Sequence, residues 1–333
     1  MKQLSPVTIV SIKAAIYISN KIVFAIALIP FLLSCTKNQN IYRNNIDKPQ
    51  LDGAVDQVVA GKCGYDIDID QLANEGWSLQ FRDEFGANEL DLNETKWSYW
   101  TTGAYNNELQ LYQKQNLKVA NGDLQITAVK KRTKVPGETS PSDNTIKNFK
   151  FTSGRIESKD TFSPDEFPIR IYARLKLPAG YGLWPAFWTY NDPWPTQGEI
   201  DILEAKGQET TQGTYQTNYL YGINSGGPNQ VLTAASQPLI QTGVDLTACY
   251  HVYMVEWTQN KLTYYFDGNI VETKIDSQAA GDENEFIDRL NDKSHRIVLN
   301  LAVGGDFLGR PTAKSIPAGG TMFVDWVRVF VKQ

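Results

Sequence analysis

Three carboxylates crowd one short run of the chain, Gly198-Glu199-Ile200-Asp201-Ile202-Leu203-Glu204. The apolar residues between them predict a strand with one face on a core and one acidic face outward. In a regular strand Glu199 and Asp201 share a face, whereas Glu204 points the other way. A one-residue bulge between Asp201 and Glu204 brings all three to one side. With that bulge the two glutamate Cα atoms lie roughly 13 Å apart, at about 3.3 Å per residue. Extended side chains leaning together then bring the carboxyls to about 5–5.5 Å, the spacing of a retaining glycosidase and well short of the roughly 6.5–9.5 Å of an inverting one. Three acids so close cannot all ionise easily, so one is expected to hold a proton near neutral pH, as a general acid must. A solvated edge strand would explain the charges equally well. It would not explain why Trp184, Trp188 and Trp194 cluster beside them, two of them followed by Pro. Indole faces stack on the C–H faces of sugar rings. A single Trp is more often core than platform, so two of the three are expected to line a polysaccharide groove.

The elements that must position these residues read as strands. The 333 residues carry 25 Gly, 15 Pro, 16 Tyr, 14 Phe and 8 Trp against 3 Met, which is turn and strand material and not the Ala/Leu/Glu/Lys mixture of helices. Short alternating or aromatic runs recur at Ser78–Phe81, Asp123–Val129, Arg170–Leu177, Leu262–Phe266, Ile297–Val303 and Met322–Val331. Such spacing predicts an all-β antiparallel sandwich or barrel in one domain. Thr133–Lys150, rich in Pro, Ser, Thr, Asn and Lys, is expected to be a surface loop within it. A short helix is expected near Asp282–Asn291. Tyr65–Asp70 alternates acid and apolar residues. It lacks the Gly and terminal Glu of a calcium loop, so an edge strand or turn is expected there.

The first 34 residues hold Lys2, Lys13 and Lys21, no acid, and an apolar run from Ile22 to Leu33. That run is short for a membrane span and suits the core of a signal peptide. An uncleaved anchor is the alternative, and either exports the rest. The ending Leu32-Leu33-Ser34-Cys35 resembles the lipobox of bacterial lipoproteins, which makes Cys35 the lipidated anchor. The expected organisation is therefore a lipoprotein signal over 1–34, a flexible polar tether over 35–62 and a catalytic domain over 63–333, held at a bacterial membrane on the cell surface or in the periplasm. Export makes Cys63 and Cys249 candidates for a disulfide, with two separate buried thiols as the alternative. The net charge of −5 becomes more negative once the three leader lysines leave. That balance speaks against nucleic acid as a partner.

The acidic strand, written Glu199-x-Asp201-x-x-Glu204, resembles the signature of glycoside hydrolase family 16 in its bulged, laminarinase-like form. Further segments match in family order: Asp83-Glu84-Phe85; Asn106-Asn107-Glu108-Leu109-Gln110; Ser153-Gly154-Arg155-Ile156; Gly182 to Trp188; His251-x-Tyr253-x-x-Glu256-Trp257; Asn300 to Gly305; and Val324-Asp325-Trp326-Val327-Arg328. The resemblance spans about Trp77 to Val331. It implies a concanavalin A-like β-jelly-roll sandwich, with Glu199 as nucleophile, Asp201 tuning its protonation, and Glu204 as acid and then base. It also implies that Asn107 and Arg155 bind sugar hydroxyls and that Trp188 and Trp194 form aromatic subsites. Read alone, Asn107 would be a turn residue and Arg155 a surface salt bridge. No cofactor is required for catalysis on this reading, although a structural calcium ion held by Glu84 and Asp325 is implied. Two departures bear on the substrate. Thr217-Asn218-Tyr219-Leu220-Tyr221-Gly222 stands where laminarinases commonly carry a His, and Ile169–Arg174 differs from the usual Gly-Arg-x-Glu-Ala-Arg.

Other chemistries find little support. With only His251 and His295, a histidine-built zinc site is not available, and His251 beside aromatics reads as core or support. No Gly-x-Ser-x-Gly elbow occurs, and Gly180-Tyr181-Gly182 lacks the third Gly of a dinucleotide loop. The expected protein is a monomeric, retaining endo-β-glucanase cutting a laminarin-like β-1,3-glucan. The alternatives are a mixed-linkage glucan or agar-type galactan as substrate, or a non-catalytic sugar-binding lipoprotein.

Overall fold

The computed structural model describes residues 61–86, 92–103, 105–139, 146–222, 233–234, 238–275 and 292–333. The expected signal segment, Cys35, the tether up to residue 60 and the helix expected near Asp282–Asn291 lie outside these. The strands, in chain order, are β1 (Trp77–Asp83), β2 (Trp97–Tyr99), β3 (Gln110–Tyr112), β4 (Leu117–Ala120), β5 (Asp123–Ala128), β6 (Thr133–Thr139), β7 (Ile146–Phe149), β8 (Phe151–Ser153), β9 (Arg155–Ser158) and β10 (Ile169–Lys176). They continue with β11 (Leu183–Tyr190), β12 (Glu199–Glu204), β13 (Thr214–Tyr221), β14 (Thr233–Ala234), β15 (Leu239–Gln241), β16 (His251–Thr258), β17 (Lys261–Phe266), β18 (Asn269–Ile275), β19 (Arg296–Val303) and β20 (Gly320–Lys332).

Two eight-stranded antiparallel sheets form the sandwich, as the alternating runs require. The first runs β18-β17-β16-β10-β20-β5-β4 and the second β14-β13-β12-β11-β19-β9-β2, with β15 added on β13. β20 is long enough to pair with β10 along one edge and with both β1 and β5 along the other. The core between the sheets takes Ile171 and Ala173 from β10, Val255 and Trp257 from β16, and Val327 and Val329 from β20. Against these lie Phe187, Ile200, Ile202, Leu299 and Leu301 of the second sheet. Their alternation in sequence is the consequence of one face of each strand turning to the core between the sheets.

Two expectations are corrected. Thr133–Lys150 is not a plain loop: β6 and β7 pair antiparallel as a separate two-stranded ribbon. The Tyr65–Asp70 stretch is neither a strand nor only a turn, since it leads into a helix, α1 (Ile69–Asn74), whose N-cap Asp68 accepts the Gln71 N–H at 2.9 Å. Helix α1 buries Leu72 with Trp77, Tyr172, Met254 and Phe330 in a small cluster centred on strands of the first sheet.

Cys63 and Cys249 are joined, with Cα atoms 5.7 Å apart, which decides between the two alternatives. The bridge ties the start of the domain beside β16. Buried His251 lies next to it, holding Asp267 through Nδ1 at 2.7 Å. Asp267 also accepts the Lys62 and Val252 N–H groups. His251 is therefore a core support.

Candidate active site

β12 places Glu199, Asp201 and Glu204. Its pairing with β13 shifts register between Asp201 and Glu204, and its pairing with β11 shifts at the same place. This is the expected bulge. Each of the outer two carboxylates is held by an indole. Trp194 Nε1 donates to Glu199 Oε2 at 2.5 Å, and Trp184 Nε1 donates to Glu204 Oε1 at 3.0 Å. Asn218, opposite Asp201 across β13, donates from Nδ2 to Glu204 Oε2 at 2.7 Å. Glu199 and Asp201 are hydrogen-bonded to each other.

Burial sets the electrostatics. It raises the Glu199 carboxyl to about 7, with the Glu204 charge adding to the effect and the Trp194 and Asp201 hydrogen bonds opposing it. Asp201 is pushed well above its ordinary range by burial and then by the Glu199 charge. Glu204 is pushed well up by burial and then by Asp201, against the donors from Trp184 and Asn218. The bond between Glu199 and Asp201 favours the ionised form of Glu199 and the neutral form of Asp201, so Asp201 is the donor. A cluster that holds a proton beside a poised carboxylate has the parts of an acid–nucleophile pair.

The aromatic residues divide by role. Trp184 stacks on Phe307, centroids 4.8 Å apart. Trp188 stacks on Tyr190 at 4.9 Å and donates its Nε1 to Asn300 Oδ1 at 2.7 Å. The Arg155 guanidinium lies 4.9 Å from the Trp188 ring, 4.7 Å from Trp100 and 5.4 Å from Tyr190, and pairs with Glu157 at 2.6 Å. Arg155 is thus a buried cation and not a surface pair, and its charge draws Glu199 downward. Asn107 has the left-handed φ of 57° that a turn needs, and its side-chain amide also donates to Asp306 at 2.9 Å, beside Arg310. The turn reading of Asn107 holds, with its amide engaged by Asp306.

The loop carrying Trp194 is pinned by His295. Its Nε2 lies 2.7 Å from the Gln197 carbonyl, so that nitrogen carries the proton, and Nδ1 accepts from Thr189 Oγ1 at 2.9 Å. Both bonds suit the neutral ring, whose pKa burial lowers to about 4. Behind Trp184, Gly305 turns the chain at φ 90°. A Cβ there would meet the Trp184 ring at 3.0 Å, so only Gly allows this packing.

Sequence reasoning missed Asn218, Glu108, Trp100, Phe307 and Asn300 as site residues. Glu108 and Asn300 stood within matching segments, and Asn218 within a departure. Glu108 is buried, accepts from Gln110 and raises Glu204 by its charge. Glu84 and Asp325, which the resemblance implies as calcium ligands, each have an arginine partner. Arg328 grips Glu84 with two N–H groups at 2.9 and 2.7 Å, and Asp325 is taken by Arg174. No group of three or more His, Cys, Asp or Glu side chains placed to hold a metal occurs among the described residues.

Comparison with known proteins agrees with this geometry. Residues 99–328 match the family model described as glycosyl hydrolases family 16. The chain is 32% identical to glucan endo-1,3-beta-glucosidase A1 of Niallia circulans over 78% of its own length, and spans 38% of that protein. It is 30% identical to the beta-glucanase of Rhodothermus marinus, over 76% of this chain and 85% of that one. Among solved structures, the endo-beta-1,3-glucanase of Pyrococcus furiosus is 33% identical. That alignment covers 77% of this chain and 95% of the other, with a TM-score of 0.61.

Proposed function

The chain belongs to glycosyl hydrolase family 16, and from that premise we propose that it is a retaining endo-β-glucanase acting on internal β-1,3 bonds of a laminarin-like glucan. The observation that carries this reading is the bulged strand on which two half-buried glutamates, each held by its own indole, flank the buried Asp201. Relatives named for endo-1,3-glucan cleavage support the linkage.

The geometry performs the reaction in two displacements. Glu204, protonated, gives its proton to the oxygen of the departing chain as the glycosidic bond breaks. Glu199, ionised, attacks the anomeric carbon from the opposite face and forms a glycosyl ester. Glu204, now a carboxylate, takes a proton from water, whose oxygen displaces Glu199 and restores the original anomeric configuration. Asp201 donates its hydrogen bond to Glu199 and steadies the carboxylate before attack and after release. Trp184 and Trp194 hold their carboxylates in place through Nε1, and the resemblance supports Trp188 and Trp194 as the rings on which sugars stack. The family resemblance supports Arg155 and Asn107 as donors to sugar hydroxyls.

Incubation of the protein with laminarin, curdlan, lichenan and agarose tests the substrate. Oligosaccharides from laminarin and curdlan are expected. Products from only lichenan or agarose would keep the mechanism and replace the substrate, and binding without any product would leave a sugar-binding protein. The lipobox-like Leu32-Leu33-Ser34-Cys35 supports anchoring at a bacterial membrane through Cys35. Cys35→Ser is expected to move the protein from the membrane to the soluble fraction, and retention by the membrane would remove that reading.

A further inference from the structure

Glu272 and Lys274 stand two positions apart on β18, hence on one face of the strand. They form an ion pair at 2.6 Å, with side-chain exposures of only 12% and 6%. The pair reaches across to the second sheet, because Thr217 of β13, itself fully buried, donates its hydroxyl to Glu272. On the neighbouring strand β17, Tyr264 makes a parallel reach. Its hydroxyl donates to the Asn218 carbonyl at 2.8 Å, and its ring lies 5.6 Å from the Lys274 ammonium. Two consecutive residues of β13 are thus held from the first sheet. The second of them, Asn218, stands opposite Asp201 and binds Glu204.

An ion pair in this position is not explained by stability. Desolvating both charges costs about as much as their attraction returns, and apolar side chains of the same size commonly do as well or better. The carboxyl cluster supplies a different reason. Asp201 Oδ2 is buried and unpartnered among the described residues, and Asn218, the one amide that favours an ionised Asp201, already donates to Glu204, so a second negative charge beside Glu199 would have little donor support. Burial and the mutual repulsion of three carboxyls push the cluster toward taking up more protons than the reaction can use.

We propose that the Glu272–Lys274 pair is the electrostatic support of this cluster: Lys274 is a positioning residue whose cation, held in place by Glu272, keeps Glu199 and Asp201 sharing one proton instead of binding two. The inference rests on the two-displacement reading of the same site. Burial and then the Glu199 charge raise the Asp201 carboxyl, with the Lys274 charge opposing them, while burial lowers the Lys274 ammonium, with Glu272 and then Asp201 opposing it. The other groups that face the cluster are Glu199 and Glu204 on β12 itself, Tyr219 on β13, Tyr264 on β17, Tyr190 on β11, Arg155 on β9, and Glu108 in the turn before β3. Among these Arg155 is the other cation. It acts on Glu199 from the opposite side of the strand order, beyond β11 and β19.

The test is the pH dependence of kcat/KM on a soluble β-1,3-glucan for the full chain, with Lys274→Met, Lys274→Arg and Glu272→Gln. Glu199 must ionise to attack, so activity rises with pH along an acidic limb set by that carboxyl. Removing the cation in Lys274→Met should move the limb upward by about half a unit or more, about a threefold loss at pH values below it and little change on the plateau. Lys274→Arg should restore the limb, and Glu272→Gln, which releases the cation from its tether, should move it in the same direction as Lys274→Met by a smaller amount. An unmoved limb in a folded Lys274→Met protein, or a loss equal at every pH, would overturn the proposal. Should Lys274→Met not fold, an unmoved limb in Glu272→Gln would do the same. Titration of the Asp201 and Glu199 carboxyl carbons by 13C NMR reads the same displacement without turnover. A chain that cleaved no glucan would therefore defeat the functional reading while leaving this inference open to its own failure.

Discussion

Glu199→Gln and Glu204→Gln are each expected to lower kcat/KM on a polymeric glucan by at least about 10³-fold, the scale on which an activated nucleophile or a positioned acid contributes. Both amides fill the same space and can still accept from the indoles of Trp194 and Trp184, so folding and sugar binding should survive. The two losses differ in kind. With an aryl glycoside whose leaving group needs no proton, the Glu204 variant should still form the glycosyl ester and then stall, because no base activates water. The Glu199 variant should form no ester. Azide separates them further when each residue is cut back to Ala. Attack on the substrate itself, with Glu199 gone, gives a glycosyl azide of inverted configuration. Attack on the ester, with Glu204 gone, gives one of retained configuration. Near-normal turnover in either variant, or azides of the same configuration from both, would undo the assignment of roles.

The second large effect concerns stability. The Cys63–Cys249 bridge spans 186 positions of sequence, and closing so long a loop restricts the unfolded chain strongly. Replacing both cysteines by Ser is expected to cost about 3–5 kcal/mol of unfolding free energy, read as a lower denaturant midpoint with a steeper slope, because the uncrosslinked chain unfolds to a less compact state. The bridge sits at the start of β16 in the first sheet, whereas the carboxylates stand on the second. Activity per folded molecule should therefore hold at temperatures where the variant remains native. A midpoint equal to that of the parent would show that the bridge does not constrain the unfolded chain as its length requires.

Some features were legible because they are local. Alternation with period two identified β1, β5, β10, β17, β19 and β20 to within a residue or two at most of their ends. The same period, applied to three acids at unequal spacing, required a bulge, and the register shift lies between Asp201 and Glu204. Misreadings were local too. The alternating acids of Tyr65–Asp70 concealed that Asp68 serves as a helix cap. The polar composition of Thr133–Lys150 hid a ribbon whose two strands need only each other.

What the sequence by itself determined, then, is the chemistry on β12: which residues carry protons, that they share a face, and that aromatic residues stand beside them. Covalent spacing and strand geometry suffice for that. Everything contributed by a partner from elsewhere in the chain was decided by the tertiary structure. Asn218 meets Asp201 and Glu204 only through the register of β13, Arg155 reaches the site through the order β9-β19-β11, and Lys274 lies behind it because β18 closes the opposite sheet. The same holds for Glu84 and Asp325. The strands bring Arg328 and Arg174 to them, contacts that their motifs alone did not show. Proton affinity follows from burial and from neighbouring charge. Neither exists for Glu199, Asp201 or Glu204 until the sheets have packed.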